Sequence, residues 1–91
     1  MTTESLSELD RTSWLHPFTS IADQANTPGL VIAEGRGARV RDASGRWYLD
    51  AMAGLWCVNA GYGRAEIADA IAEQARRLPY YHAFAGMANA W

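Results

Sequence analysis

The sequence predicts an α+β unit built from a short helix, a β-meander, a glycine-rich loop and one amphipathic helix. Three observations carry this. Residues 38–41 alternate small or apolar with charged, and residues 46–50 return as their partner strand across Asp42-Ala43-Ser44-Gly45, a turn sequence that suits a hairpin. Ile67, Ile71, Ala75 and Leu78 recur at spacings of four, four and three, which draws one apolar stripe along a helix. Between them, residues 51–63 follow neither period and contain three glycines, the mark of a long functional loop.

Taken in order, Met1 to Ser13 is polar and mixed in charge and reads as a mobile leader, so the folded portion is expected over residues 14–91. Thr19 or Ser20 is placed to cap a short helix over Ile21 to Ala25, with Asp23 in its first turn and Pro28-Gly29 as its stop. Leu30 to Ala33 is a short apolar strand, residues 34–37 a turn, and Ala38 to Arg41 the second strand. Arg46 to Asp50 returns as the third. The helix over Ala65 to Leu78 has Glu66 and Asp69 near its positive end and Arg76 and Arg77 near its negative end. Glu73 and Arg77 add a favourable i,i+4 pair, and Pro79 stops the helix. A second aromatic cluster, Tyr80 to Gly86, follows.

Composition limits what these elements do alone. Hydrophobic residues make up 49% of the chain, but 17 of them are Ala. Val, Ile, Leu and Phe total 16 of 91 residues, under the roughly 20% at which core-forming capacity becomes doubtful. The chain is therefore expected to need more chain or a partner. All eight basic residues are Arg, which fits a GC-rich coding sequence and leaves no side-chain amine for lysine-based covalent catalysis. A pI near 5.5 with no basic stripe argues against nucleic-acid binding. There is no apolar run of the ~20 residues that cross a membrane and no signal-peptide core, so a cytoplasmic, soluble protein is expected.

Few residues offer chemistry by themselves. Gly61-Tyr62-Gly63 opens a helix, but Glu66 stands where a dinucleotide fingerprint needs a third Gly, so a helix-entry turn is the better reading. His16 and His82 lie far apart with no ligand set at metal spacing. Cys57, the one cysteine, has no basic neighbour to activate it and is expected to be a buried, inert thiol. The large aromatics Phe18, Trp56, Tyr81 and Phe84 all fall in loops or at element ends. They either wall an apolar pocket or supply the core that the Ala-rich helix cannot.

The string from Leu49 to Arg64, with Ala53-Gly54-Leu55-Trp56-Cys57 at its centre, tips that balance. It resembles the segment after the first hairpin of class III aminotransferases, especially the omega-transaminases that act on β-alanine, other ω-amino acids or amines with pyruvate. His16-Pro17-Phe18-Thr19, Gly37 to Asp50, and Leu78-Pro79-Tyr80-Tyr81 with Phe84 match the same family in order and spacing. The resemblance implies the N-terminal part of the small domain of a fold type I, pyridoxal-phosphate-dependent enzyme with active sites at a homodimer interface. It implies that Phe18, Leu55 and Trp56 line the substrate pocket, that Phe84 reaches toward the partner's site, and that Tyr81 contributes. The amine or ω-amino acid donor and the keto-acid acceptor would be its partners. The Lys that bonds the cofactor, the Asp that pairs with its ring nitrogen and the groups that hold its phosphate come later in the family's chain and have no counterpart here. The chain is thus expected to be an inactive opening segment. An ornithine or diamine aminotransferase and a small non-enzymatic binding module are the other readings.

Overall fold

The computed structural model describes residues 1–27 and 29–90. Helix α1 (Thr3–Ser13) is followed by α2 (Ile21–Asn26), strands β1 (Ile32–Arg36), β2 (Arg39–Asp42) and β3 (Trp47–Leu49), a one-turn segment over 53–56, helix α3 (Ala65–Arg77) and a 3₁₀ turn at Phe84–Gly86. The α+β expectation is met: the strands form one antiparallel sheet in sequence order, flanked by helices.

The segment read as a mobile leader carries α1. The Thr2 side chain accepts the Ser5 amide, Glu4 stands in the first turn and Arg11 in the last, and Arg11 pairs with Glu8 at 2.7 Å. The Thr3 hydroxyl also donates to the Ala43 carbonyl at 2.9 Å, tying the helix to the hairpin turn. Caps and dipole pairs of this kind were present in the sequence, but without an apolar stripe they do not announce a helix. Helix α2 begins where expected, with the Ser20 side chain as its cap. Its expected stop at Pro28 lies outside the described residues.

The first strand sits later than expected. It runs through the residues read as a turn, as far as Arg36, and reverses over Gly37 and Ala38. Two pairings override the turn-like composition: Glu34 faces Arg41 and forms an ion pair with it, and Gly35 faces Val40. A register shift between Ile32 and Glu34 absorbs Ala33 as a bulge. The second hairpin matches the sequence reading, with Gly45 at φ +95° in its turn.

Asp42 organises that turn. It is the one residue classed as buried among those described, 6% exposed. Its carboxylate accepts from the Ser44 hydroxyl at 2.6 Å, the Tyr48 hydroxyl at 2.7 Å, and the Ser44 and Arg46 amides, both at 2.9 Å. The Ser44 hydroxyl first, then Tyr48, hold the carboxyl far below the usual carboxylate range. A carboxyl so lowered contributes stability above its unfolded value, and that contribution is lost as pH falls through the lowered value. In the full-length protein Asp42→Asn is therefore expected to lower the thermal midpoint at neutral pH and to flatten its decline below about pH 4. Calorimetry across pH checks both.

The loop after β3 folds back on the first hairpin. Gly37 and Tyr62 exchange both backbone hydrogen bonds, at 3.0 and 2.8 Å. Helix α3 then follows, ending one residue before the expected Leu78. Its apolar stripe faces no other element: Ile71 is 64% exposed, and no hydrophobic residue is buried among those described. The elements are in place without a core to close on.

Candidate substrate-binding site

The five residues singled out by the sequence lie in three short segments, and backbone conformation links them. Among the described residues, the non-glycine residues with positive φ are Phe18, Ala53, Leu55, Trp56 and Ala85. Three of the five are predicted pocket residues, a fourth shares their turn, and the fifth follows Phe84 directly. The left-handed region costs an L-residue roughly 1–2 kcal/mol. Such strain persists where surrounding structure enforces it, and it clusters at ligand sites.

The segment Ala53–Trp56 is the densest case. With Gly54 at φ +59°, four consecutive residues have positive φ, and the amides of Trp56 and Cys57 bond back to the carbonyls of Met52 and Ala53 at 2.8 and 2.9 Å. This is one left-handed helical turn where a loop without regular structure was expected. It thrusts Leu55 and Trp56 outward, at 58% and 80% exposure. Cys57, expected to be buried, is exposed at the end of the same turn, because the outward path carries it along.

The turn is held from outside. The Asp50 carboxylate accepts from the Met52 amide at 3.1 Å, the Gly54 amide at 2.8 Å and the Tyr62 hydroxyl at 2.6 Å. Bonds to an ionised acceptor are about twice as strong as neutral ones. The Tyr62 bond first, then the Gly54 amide, keep the Asp50 carboxyl below its ordinary range, and the same bond pushes the Tyr62 phenol up. The Tyr62 ring covers Gly35, where an added Cβ would come within 2.5 Å of the ring.

Phe84 stands in the other strained turn. His82 stacks between Tyr81 and Phe84, with ring centroids at 4.6 and 5.5 Å, and its Nδ1 accepts the Phe84 amide at 3.2 Å. The structure thus joins Tyr81 with Phe84 and Leu55 with Trp56. Phe18 joins neither ring stack among the described residues. A concavity of about 880 Å³ between α1, α2 and β1 contains none of the five. In its lining His16 and Asp10 form a 2.8 Å pair.

Sequence reasoning passed over Asp50, Tyr62 and Gly35. A signal existed for the first: Asp two and four residues before Met52 and Gly54, at the head of a glycine-rich loop, is an Asx-turn pattern. Tyr62 lies between two glycines, and only the fold brings Gly35 beneath it.

Comparison with known proteins places this arrangement in a family. The family described as aminotransferase class-III matches residues 20–89, so the chain belongs to it. It is 45% identical over 92 residues to the diaminobutyrate–2-oxoglutarate transaminase of Halomonas elongata, covering 98% of this chain and 20% of that enzyme. It is 54% identical over 78 residues to the hypotaurine/taurine–pyruvate aminotransferase of Paracoccus denitrificans, covering 85% of this chain and 17% of the relative. An (S)-enantioselective omega-transaminase from Thermomicrobium roseum superimposes with a TM-score of 0.93 at 39% identity, over 98% of this chain and 20% of that one. A thermostable omega-transaminase variant with Trp-to-Met, Phe-to-Leu and Arg-to-Leu substitutions, engineered for asymmetric synthesis of enantiopure bulky amines, superimposes at 0.89 with 33% identity, over 93% of this chain and 19% of that one. The chain spans about a fifth of the length of the curated relatives it matches.

Membership implies pyridoxal phosphate. The residues present do not fit it: the chain has no Lys to bond the cofactor, and Arg11, Arg41 and Arg64 are already paired with carboxylates. What the segment offers is a set of exposed apolar side chains, Leu55, Trp56 and Phe84 among them.

Proposed function

We propose that this segment forms part of the substrate pocket of a longer aminotransferase that moves an amino group from an ω-amino acid or amine to pyruvate or a similar keto acid. Residues 14–91 would be the first part of its small domain, and the active enzyme a homodimer. The observation that carries the reading is the left-handed turn that presents Leu55 and Trp56, joined to the matching strain at Phe18 and Ala85. Pyridoxal phosphate would supply the electron sink and would be held by residues outside this chain. The segment's own part is to bind and orient: Trp56, Leu55 and Phe18 offer apolar faces to the donor's side chain, while Phe84 reaches toward the partner subunit's site and Tyr81 contributes beside it.

The engineered relative supports the Trp56 and Phe84 assignments. Its substituted tryptophan and phenylalanine stand the same distance apart along the chain as Trp56 and Phe84 do here. Apolar walls discriminate by only ~1–3 kcal/mol per methylene, which suits a site that accepts several amines. The test is transamination by the full-length protein with β-alanine, taurine, a diamine and an arylalkylamine, each against pyruvate and 2-oxoglutarate. Similarity to the diaminobutyrate enzyme favours the diamine with 2-oxoglutarate as the second reading. Absence of turnover with every pair would defeat both.

Trp56→Gly is expected to raise kcat/KM for a bulky arylalkylamine roughly tenfold or more while lowering it for β-alanine. Steady-state kinetics with the two donors measures the split. An equal loss for both donors would place Trp56 outside the pocket.

A further inference from the structure

We propose that Asp50 and Tyr62 are positioning residues that set donor choice, because their hydrogen bond, with the Tyr62 ring seated on Gly35, holds residues 53–56 in the left-handed turn that aims Leu55 and Trp56. The inference rests on the reading that Leu55 and Trp56 line the donor pocket.

Three independent features converge on the pair. The turn has no sequence preference of its own, since Ala53, Leu55 and Trp56 are not left-handed formers, so something outside must hold it. Asp50 does so through the amides of Met52 and Gly54. Tyr62 in turn fixes Asp50: its hydroxyl donates to the same Oδ2 that receives the Gly54 amide, at 2.6 Å. Tyr62 itself has little freedom. Its backbone is bridged to Gly37 on both sides of the peptide, and its ring lies against Gly35. The Gly54 backbone also passes directly under the phenol, where an added Cβ would meet the Tyr62 hydroxyl and Val58 Cγ2, each at 3.0 Å. Neither Asp50 nor Tyr62 projects into the wall itself. They act through Trp56, whose displacement by even an ångström alters which substituent the pocket accepts.

Tyr62→Phe is the test, made in the full-length enzyme, because it keeps the ring over Gly35 and removes only the hydroxyl. The ratio of kcat/KM for an arylalkylamine over β-alanine is expected to rise about tenfold, with the bulky donor gaining as Trp56 swings free. The same substitution in a Trp56→Ala background is expected to leave that ratio unchanged, since the effect runs through Trp56. Amide exchange in peptides covering residues 50–58 should quicken in Tyr62→Phe, while exchange in α3 stays as in the parent. Equal losses for both donors, or a ratio change that persists without Trp56, would overturn the proposal. Should Tyr62→Phe fail to accumulate, Asp50→Asn is read by the same criteria. Should the parent enzyme transaminate none of the donors, the functional reading fails. The exchange measurement then decides the clamp alone: unchanged exchange at 50–58 refutes it, and faster exchange upholds it.

Discussion

The isolated 91-residue chain, mixed with pyridoxal phosphate, an amine and pyruvate, is expected to turn over no substrate. It is also expected to unfold without a cooperative transition. The chemical half follows from the absence of Lys: no side chain can bond the cofactor's aldehyde, so reduction with borohydride should fix label at the Met1 amine at most. The physical half follows from burial. Ile67, Ile71, Trp56 and Phe84 are all largely exposed, and no hydrophobic residue is buried among those described. Burying a large apolar side chain contributes about 1.5–3 kcal/mol, and this chain collects almost none of it. Ordering a residue's backbone costs about 1–2 kcal/mol, so hairpin hydrogen bonds alone do not offset the ordering. Peptide mapping after reduction and a calorimetric scan are the measurements. A sharp melt together with ligand binding by the lone chain would favour a self-contained binding module and sink the segment reading.

How much of this was visible in the sequence depends on which interactions are local. The second hairpin was legible because Asp42 and Gly45 state their turn within four residues. Helix α3 was legible because its stripe repeats over about three turns, although that stripe faces no partner among the described residues. Strand β1 was misplaced because Gly35 reads as a turn residue, yet its glycine is needed for the Tyr62 ring, 27 positions away in the chain. The left-handed turn was invisible for the same reason. Ala53, Leu55 and Trp56 carry no preference for positive φ, and the groups that impose it, Asp50 and Tyr62, meet only once the loop has folded back on Gly37. The residues proposed for the pocket came from motif resemblance. The means by which the fold holds them came from contacts that span the loop.

Gly35→Ala is the substitution that should do the most damage for its size. At most positions with ordinary backbone angles, Gly→Ala stabilises by about 0.4–1 kcal/mol by restricting the unfolded chain. Gly35 has no positive φ to forbid a side chain, so the backbone alone would allow that gain. The new methyl, however, would sit 2.5 Å from Tyr62 Cγ, 2.6 Å from Cδ1 and 2.9 Å from Cβ. Overpacking of a fitted site costs typically about 1–3 kcal/mol, and more where the neighbour cannot retreat. Tyr62 is anchored at both ends, by the Gly37 bridge and by Asp50, so the larger figure is the expected one. The full-length enzyme carrying Gly35→Ala should lose thermal stability and, through the displaced clamp, most of its kcat/KM. Gly37→Ala makes the control: it introduces strain at φ +56° but meets nothing within 4 Å, so its cost should stay near 1 kcal/mol, about that of one left-handed residue. Adding Tyr62→Ala to Gly35→Ala removes the two ring contacts but keeps the one at Cβ, so it should recover only part of the lost stability, without restoring donor selectivity. A Gly35→Ala enzyme as stable as its parent would mean that Tyr62 does not lie where the clamp requires it.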